Sequence, residues 1–190
     1  VVGAVASTGL SNNLIVIVEA ISGGNVITLL LLTALLCIVL GMGLPTTANY
    51  LVVAALMSQV VVEVGNASGY IFPLIAIHLY VFYYGLMADV TPPVGLASYA
   101  AAAISKADPI KTGIQAFWYS LRTGILPIVF IFNNEILLLG VNDFWHGLIV
   151  VITSLIAILV FTAATQGWFF NKLRWYEIII FLIIAMSLFR

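Results

Sequence analysis

Long uninterrupted apolar runs constrain this chain more than any other feature. The segments from Val26 to Leu40 and from Trp145 to Ala164 contain no Asp, Glu, Lys or Arg. Inside a bilayer the backbone must satisfy its own hydrogen bonds, and continuous rather than alternating apolar runs favour helices as the solution. A helix of about 20 residues rises about 30 Å, which is the thickness of the hydrocarbon core. We therefore expect membrane-spanning helices.

The composition extends this expectation to the whole chain. Only 13 of 190 residues are charged (6 Lys or Arg plus 7 Asp or Glu), and 64% are hydrophobic. Soluble domains carry roughly 25% charged residues, so a soluble domain is excluded. The sequence predicts an all-α polytopic membrane protein, a transmembrane helix bundle of about five to seven passages. The candidate spans are Val26 to Leu40, Leu51 to Val62, Tyr70 to Ala88, Gly124 to Leu139, Trp145 to Ala164 and Trp175 to Phe189, with a weaker span before Ile21.

Several classes of function are excluded by the same counts. A net charge of -1 without a basic run cannot neutralise a phosphate backbone, so nucleic acid is excluded as a partner. The single cysteine, Cys37, excludes a disulfide framework and is expected to be a buried apolar residue. His78 and His146 are too isolated for a zinc site, and an interhelical hydrogen bond is the favoured role of His78. No Gly-rich phosphate loop is present, so ATP use is not indicated.

The positive charges predict the orientation. Lys and Arg in short loops are retained on the cytoplasmic side of the membrane. Lys106, Lys111 and Arg122 form one cluster, and Lys172 and Arg174 form another. We therefore place residues 105–122 and 167–175 in the cytoplasm and residues 140–144 outside. The indoles of Trp145, Trp168 and Trp175 are expected near the interfaces.

Two segments break the apolar pattern where a continuous helix would be expected. The first reads GMGLPTTANY from Gly41 to Tyr50, and the second reads ADVTPPVG from Ala88 to Gly95. Proline removes a backbone donor and clashes with the preceding helical turn, and glycine permits conformations that other residues avoid. In a membrane, the freed backbone groups are tolerated only where they are buried in protein or line a polar cavity.

Such breaks are typical of the binding sites of secondary transporters. Amides at the end of a half-helix attract anions, and freed carbonyls suit a hard cation such as sodium. Thr46, Thr47 and Asn49 add polar groups at the first break, and Thr91 adds one at the second. The alternative is that both breaks are only packing kinks, since Gly and Pro are common in membrane helices.

The first break has two possible geometries. Residues 26–40 rise roughly 22 Å as a helix, which is short of a full crossing. The chain can therefore turn inside the bilayer near residues 41–45 and return through residues 46–62, forming a re-entrant hairpin. It can equally continue as one broken span, and the parity of the spans does not decide between the two.

The residues around both breaks resemble a known family. LGMGLPTTANY from Leu40, ADVTPPVGLA from Ala88 and SGGN from Ser22 are similar to the second half of the large membrane subunit of TRAP transporters, the tripartite ATP-independent periplasmic carriers. The resemblance covers roughly residues 1–139. Residues 140–190 resemble the additional helices of the fused form, in which the small and large membrane subunits share one polypeptide.

The resemblance implies a sodium-coupled, elevator-type importer in a prokaryotic inner membrane. It implies one half of an inverted repeat, with a re-entrant hairpin at about 26–62 and a broken helix at about 70–104. A periplasmic binding protein would deliver a small organic anion, usually a carboxylate, and sodium would be the coupling ion without any other cofactor. Predicted ion-binding residues are Gly41, Gly43, Thr47, Thr91, Pro92, Pro93 and Gly95; predicted substrate-binding residues are Thr46 and Asn49; Asp89 is a possible supporting residue.

Other readings stay open beside this one. Asp89 can instead act as the acid or base of a membrane-embedded enzyme, or the chain can be a scaffold or channel subunit. Because the sequence starts at Val1 without a signal peptide and stops at Arg190 after an apolar run, we expect a piece of a longer permease. The N-terminal remainder would carry the first repeat, and this piece alone is not expected to transport.

Overall fold

The computed structural model describes residues 16, 17 and 20–189, apart from the side chain of Arg122. The chain divides into two compact units, Val1–Pro127 and Ile128–Arg190. The helices are α1 (Val26–Gly41), α2 (Thr46–Ala67), α3 (Leu74–Met87), α4 (Leu96–Ser105), α5 (Pro109–Phe132), α6 (Phe144–Gln166) and α7 (Trp175–Leu188). A 3-10 turn covers Asn134–Leu137, and two short strands, β1 (Trp168–Phe169) and β2 (Asn171–Lys172), pair antiparallel.

The predicted helical membrane bundle is confirmed. By length and composition, three described helices can cross a membrane: α2, α5 and α6. The helices α1, α3, α4 and α7 are shorter but also apolar. The predicted weak span before Ile21, with Glu19, lies largely outside the described residues.

Three predicted boundaries differ from the structure. The predicted cytoplasmic loop at 105–122 is mostly helical, because Asp108 accepts a hydrogen bond from the amide of Lys111 (2.8 Å) and so caps the start of α5. The predicted span from Gly124 to Leu139 ends at Phe132. There Asn133 accepts from the amide of Glu135 and a 3-10 turn replaces the helix. The predicted span from Tyr70 begins only at Leu74, directly after Pro73.

In the first unit, α1 and α2 form an antiparallel hairpin. At the tip, the side-chain amide of Asn49 donates to the carbonyl of Cys37 (2.9 Å), which joins the start of α2 to the end of α1. At the other end, the hydroxyl of Ser68 donates to the carbonyl of Gly24 (3.0 Å). The end of α1 therefore lies beside the start of α2, and the start of α1 lies beside the end of α2. The two helices therefore run antiparallel, and the re-entrant position of this hairpin in the membrane stays a prediction.

Helix α3 packs against both arms of the hairpin. Leu29 of α1, Val53 and Val60 of α2, and Ile77 of α3 are fully buried between these helices. The buried hydroxyl of Tyr80 on α3 donates to the carbonyl of Leu30 on α1 (2.6 Å). Apolar packing together with this bond fixes α3 beside the hairpin.

Replacing Tyr80 with Phe tests that contact. We expect Tyr80→Phe to lower the free energy of unfolding by about 1 kcal/mol, because a buried hydrogen bond to a neighbouring helix is lost while the ring remains. The measurement is thermal unfolding of the protein in detergent. Ser105→Ala is the control, since it removes an exposed hydroxyl that bonds only within its own helix. An unchanged unfolding midpoint in Tyr80→Phe would contradict the expectation.

In the second unit, α6 and α7 pack along each other as a second hairpin, with β1 and β2 at its turn. Gly167 ends α6 with φ +64, and the amide of Leu173 donates to its carbonyl (2.8 Å). Near the opposite end of this hairpin, the side-chain amide of Asn133 donates to the carbonyl of Phe189 (2.5 Å). His146 pairs with Glu135 at 3.4 Å, which joins the 3-10 turn to the start of α6.

Candidate functional site

The first break forms the tip of the α1–α2 hairpin. Helix α1 ends at Gly41, and α2 begins at Thr46 after Pro45, whose carbonyl accepts from the amide of Asn49 (2.9 Å). Within the described part of the chain, the carbonyls of Gly43 and Leu44 accept no hydrogen bond. The tip therefore presents backbone oxygens beside the amides of the first turn of α2, which have no partner within the helix.

The second break separates α3 from α4. Residues 88–95 leave the helical ladder, and the Pro92–Pro93 peptide bond is cis. Other donors replace part of the ladder. The hydroxyl of Thr91 donates to the carbonyl of Met87 (2.6 Å), and the amide of Ala97 donates to the carbonyl of Asp89 (3.2 Å). The carbonyl of Met87 also accepts from the amide of Val90 (3.2 Å), whereas that of Asp89 keeps a second lone pair for a ligand.

Asn49 connects the two breaks. Its side chain is fully buried (0% exposed), and its amide nitrogen Nδ2 donates to Cys37 at the end of α1. A Cβ atom added to Gly41 would lie 2.6 Å from Nδ2 and 2.5 Å from the Cβ of Ala88, and one added to Gly85 would lie 3.2 Å from Nδ2. Gly41 and Gly85 thus leave the space that the carboxamide occupies. We call Asn49 with Gly41, Gly85 and Ala88 the Asn49 junction.

The other carboxamide atom of Asn49 has no partner. Its oxygen Oδ1 is buried, and no donor within the described residues reaches it. A buried acceptor without a partner costs about 1 to 3 kcal/mol, and such groups in native proteins usually meet a water or an ion. No charged side chain belongs to the Asn49 junction. The junction is therefore a neutral, oxygen-bearing point between the two breaks.

The sequence matches a family of transporter components. The family described as "Tripartite ATP-independent periplasmic transporter, DctM component" matches residues 1–145. The chain belongs to the DctM family. Membership identifies a multi-pass membrane component of a TRAP transporter, and it implies a periplasmic binding protein and a small membrane subunit as partners. It points to transport rather than to an enzyme.

A second match covers the remainder of this DctM-family chain. Residues 147–190 match a domain of unknown function, DUF3394, which contains nearly all of α6 and the whole of α7. No curated protein and no solved structure gives a significant match. The interpretation of residues 140–190 as additional helices of a fused form stays a prediction.

The predicted site residues of the DctM-family chain fall into two groups. Gly41 and Asn49 meet at the Asn49 junction, in contact with the first residue of the second break. At the tip, Thr46 is half-buried, whereas Gly43 and Thr47 are exposed. In the second break, Gly95 is buried with φ +21, and Pro93 is exposed. Thr91, Pro92 and Asp89 are half-buried there.

Two residues at the site were not predicted from the sequence. Gly85 lies against Asn49, and the buried hydroxyl of Ser98 donates to the carbonyl of Val90 (3.4 Å) in the second break. Gly85 on α3 and Ala88 directly after it are both small residues, which let another helix approach closely. Their small size was the available signal for Gly85. No comparable signal marked Ser98.

The expected roles of His78 and Cys37 are confirmed. The imidazole Nδ1 of His78 on α3 lies 3.0 Å from the hydroxyl of Tyr50 on α2, and this is an interhelical hydrogen bond. Tyr50 also contacts the ring of Phe82 edge-on, with centroids 5.8 Å apart. Cys37 is a fully buried free thiol. Tyr50 follows Asn49 in the chain, so this aromatic contact supports the helix that carries the Asn49 junction.

Proposed function

We propose that this chain forms half of the transport site of a secondary importer in a prokaryotic inner membrane. The importer couples sodium entry to uptake of a small organic anion, a carboxylate, that a periplasmic binding protein delivers. The hairpin and the broken helix move together across the membrane in an elevator-type cycle. The N-terminal remainder of the same permease supplies the other half of the site.

The Asn49 junction is the observation that carries this proposal. It joins two helix breaks through a buried carboxamide whose oxygen lacks a partner among the described residues. A packing kink alone would not require a buried polar group at the contact, because apolar side chains fill such a contact without the cost of an unpaired acceptor. A ligand that brings positive charge to Oδ1 would offset that cost.

The chemistry of the breaks supports a division of roles. We assign sodium to oxygens of both breaks: the hydroxyls of Thr47 and Thr91 and the carbonyls of Gly41, Gly43, Pro92, Pro93 and Gly95, with Asp89 nearby. Sodium prefers such oxygen ligands, as hard cations do. We assign the substrate carboxylate to Thr46 and the first amides of α2, where the positive end of the helix dipole favours an anion.

In this division of roles, Asn49 binds the ion directly and affects the substrate only indirectly. Because its side chain is fully buried, we propose that it acts from beneath the hairpin tip, with Oδ1 available to the ion. Its influence on the substrate would then pass through the bound cation. A bound cation would also supply the positive charge that an organic anion needs in a site built from neutral groups.

Uptake by proteoliposomes tests the proposal. The full permease is reconstituted with its periplasmic binding protein, and uptake of radiolabelled carboxylates is measured with and without an inward sodium gradient. We expect uptake to require both the gradient and the binding protein. Uptake that is indifferent to sodium would refute the coupling. Turnover of a substrate without any gradient, abolished by Asp89→Asn, would favour the alternative of a membrane enzyme.

The sodium site has a more specific test at Thr91. We expect Thr91→Val to weaken binding of ²²Na⁺ to the permease by about tenfold or more, since it removes a hydroxyl oxygen at the second break without changing the shape of the side chain. Thr153→Val is the matched control. Thr153 makes the same bond to the carbonyl four residues earlier (2.8 Å to Ile149), but it lies on α6. Equal losses in both variants would remove Thr91 from the site.

A further inference from the structure

The turn between α6 and α7 carries an unusual concentration of exposed aromatic side chains. Trp168 is 58% exposed, Phe170 is 79% exposed and Trp175 is 74% exposed, and all lie within eight residues. Such rings contribute most when removed from water, yet these three stay more than half exposed among the described residues. We call residues 168–175 the aromatic tip.

Phe170 has a backbone conformation that bulky residues rarely adopt. Its φ is +56, in the left-handed region, at the turn between β1 and β2. For a bulky side chain this conformation is a genuine outlier, and such strain clusters at ligand-binding positions. Glycine or asparagine would make the same turn at lower cost. The turn therefore holds a phenyl ring at the end of the hairpin, where it contacts the ring of Phe169 edge-on (centroids 4.8 Å apart) but stays 79% exposed.

Cationic groups lie directly beside these rings. Lys172 is the cross-strand partner of Trp168 in the β1–β2 register, and its side chain is exposed. The guanidinium of Arg174 donates to the hydroxyl of Tyr176 (2.8 Å) and is also exposed. The one carboxylate close by in sequence, Glu177, accepts from the backbone amide of Arg174 (2.7 Å). The aromatic tip thus combines two available cations with indole donors.

The surroundings decide which kind of partner this combination fits. The helices that lead into the aromatic tip expose apolar side chains, including Leu159 on α6 and Ile179 and Ile180 on α7. A surface that is apolar along two helices and aromatic and basic at their end matches the profile of a bilayer leaflet, from acyl chains to headgroups. The positive charge selects headgroups with net negative charge.

We propose that the aromatic tip is a binding site for the headgroup of an anionic phospholipid. The phosphate is held by Lys172 and Arg174, with the indole of Trp168 as a further donor, and Phe170 lies among the headgroups at the end of the hairpin. This assigns a lipid-binding role to the segment that matches the domain of unknown function. The role does not depend on the transport chemistry proposed for the hairpin and the broken helix.

Photocrosslinking at the aromatic tip tests the site. The full permease carrying Phe170→p-benzoylphenylalanine is placed in nanodiscs of phosphatidylcholine and phosphatidylglycerol at a ratio of about 3:1, irradiated, and examined by mass spectrometry. We expect adducts enriched in phosphatidylglycerol several-fold over the bulk ratio, since each interfacial cation contributes about five-fold to anionic lipid binding. The matched control is Leu159→p-benzoylphenylalanine, which is exposed along α6 and should give adducts in the bulk ratio.

Charge removal completes the experiment. Lys172 and Arg174 are exposed, so Lys172→Gln with Arg174→Gln should leave the fold intact, and we expect the enrichment at position 170 to fall to the bulk ratio. Three results would overturn the proposal: lipid adducts at position 170 that already follow the bulk ratio, adducts to a protein subunit instead of lipid, or no adducts at all. Enrichment that survives the double substitution would also overturn it, because the cations would then play no part.

Discussion

Gly41→Ala is expected to abolish transport by the permease and to lower its free energy of unfolding by about 2 kcal/mol. The added Cβ would lie 2.5 Å from the Cβ of Ala88 and 2.6 Å from Nδ2 of Asn49. Overpacking of this kind costs about 1 to 3 kcal/mol or more. Ala has a higher intrinsic helix preference than Gly, and this preference offsets at most about 1 kcal/mol of the steric cost. The steric term is larger, because the Cβ of Ala88 moves only with the backbone of the second break.

Gly43→Ala is the matched control, two residues further along the same tip. A Cβ on Gly43 would have only the carbonyl of Leu40 nearby, at 4.0 Å, and its φ is not in the left-handed region. We expect its unfolding free energy to stay within about 0.5 kcal/mol of the parent. Thermal unfolding is measured on both variants, and proteoliposome uptake on Gly41→Ala, because the carbonyl of Gly43 is itself a proposed sodium ligand. Equal losses of stability in the two would mean that the contact between the breaks does not hold the site together.

Asn49→Ala is expected to have the second largest effect. The substitution removes the bond to Cys37 and leaves a cavity between Gly41 and Gly85, so we expect a loss of about 2 kcal/mol in unfolding free energy. We also expect uptake to fall at least tenfold and the sodium concentration for half-maximal uptake to rise, because Oδ1 is lost as a candidate ion ligand. Unfolding and sodium-dependent uptake are the two measurements.

Thr33→Val separates the site from general damage to the core. Thr33 is as buried as Asn49, but its hydroxyl bonds only to Leu29 within its own helix (2.9 Å). We expect Thr33→Val to change stability modestly and to leave the sodium dependence unaltered. If Asn49→Ala loses stability but keeps the parent's sodium dependence, Asn49 is a structural link between helices and not a part of the ion site.

The helices and their breaks were accessible from the sequence for a simple physical reason. In lipid, a long apolar run has few alternatives to a helix, and Pro with Gly interrupts a helix wherever it occurs. Val26 to Leu40 and Trp145 to Ala164 were predicted to within a few residues of α1 and α6. The start of α5 was not predicted, because the nearby lysines favoured a cytoplasmic loop at this position. Asp108 instead caps a helix there through a local hydrogen bond to the amide of Lys111.

The arrangement of the breaks was not accessible in the same way. Whether residues 26–62 form a hairpin depends on contacts between residues far apart in the chain, such as Ser68 with Gly24, and apolar patterns do not encode such pairs. Asn49 was predicted at the site from its residue type, but its complete burial was not. That burial follows from two glycines on different helices, and the sequence does not indicate which glycines meet which side chain.

The antiparallel hairpin of α1 and α2 also has a consequence for biosynthesis. Since its two ends lie together, it contributes no net crossing, however deep its tip reaches. The orientation of every later helix is therefore independent of whether the hairpin has entered the membrane. Positive charges such as Lys111 and Lys172 can orient those helices at the translocon first. The hairpin, with its polar tip, can then be inserted afterwards, when protein surfaces rather than lipid receive its unpaired backbone groups.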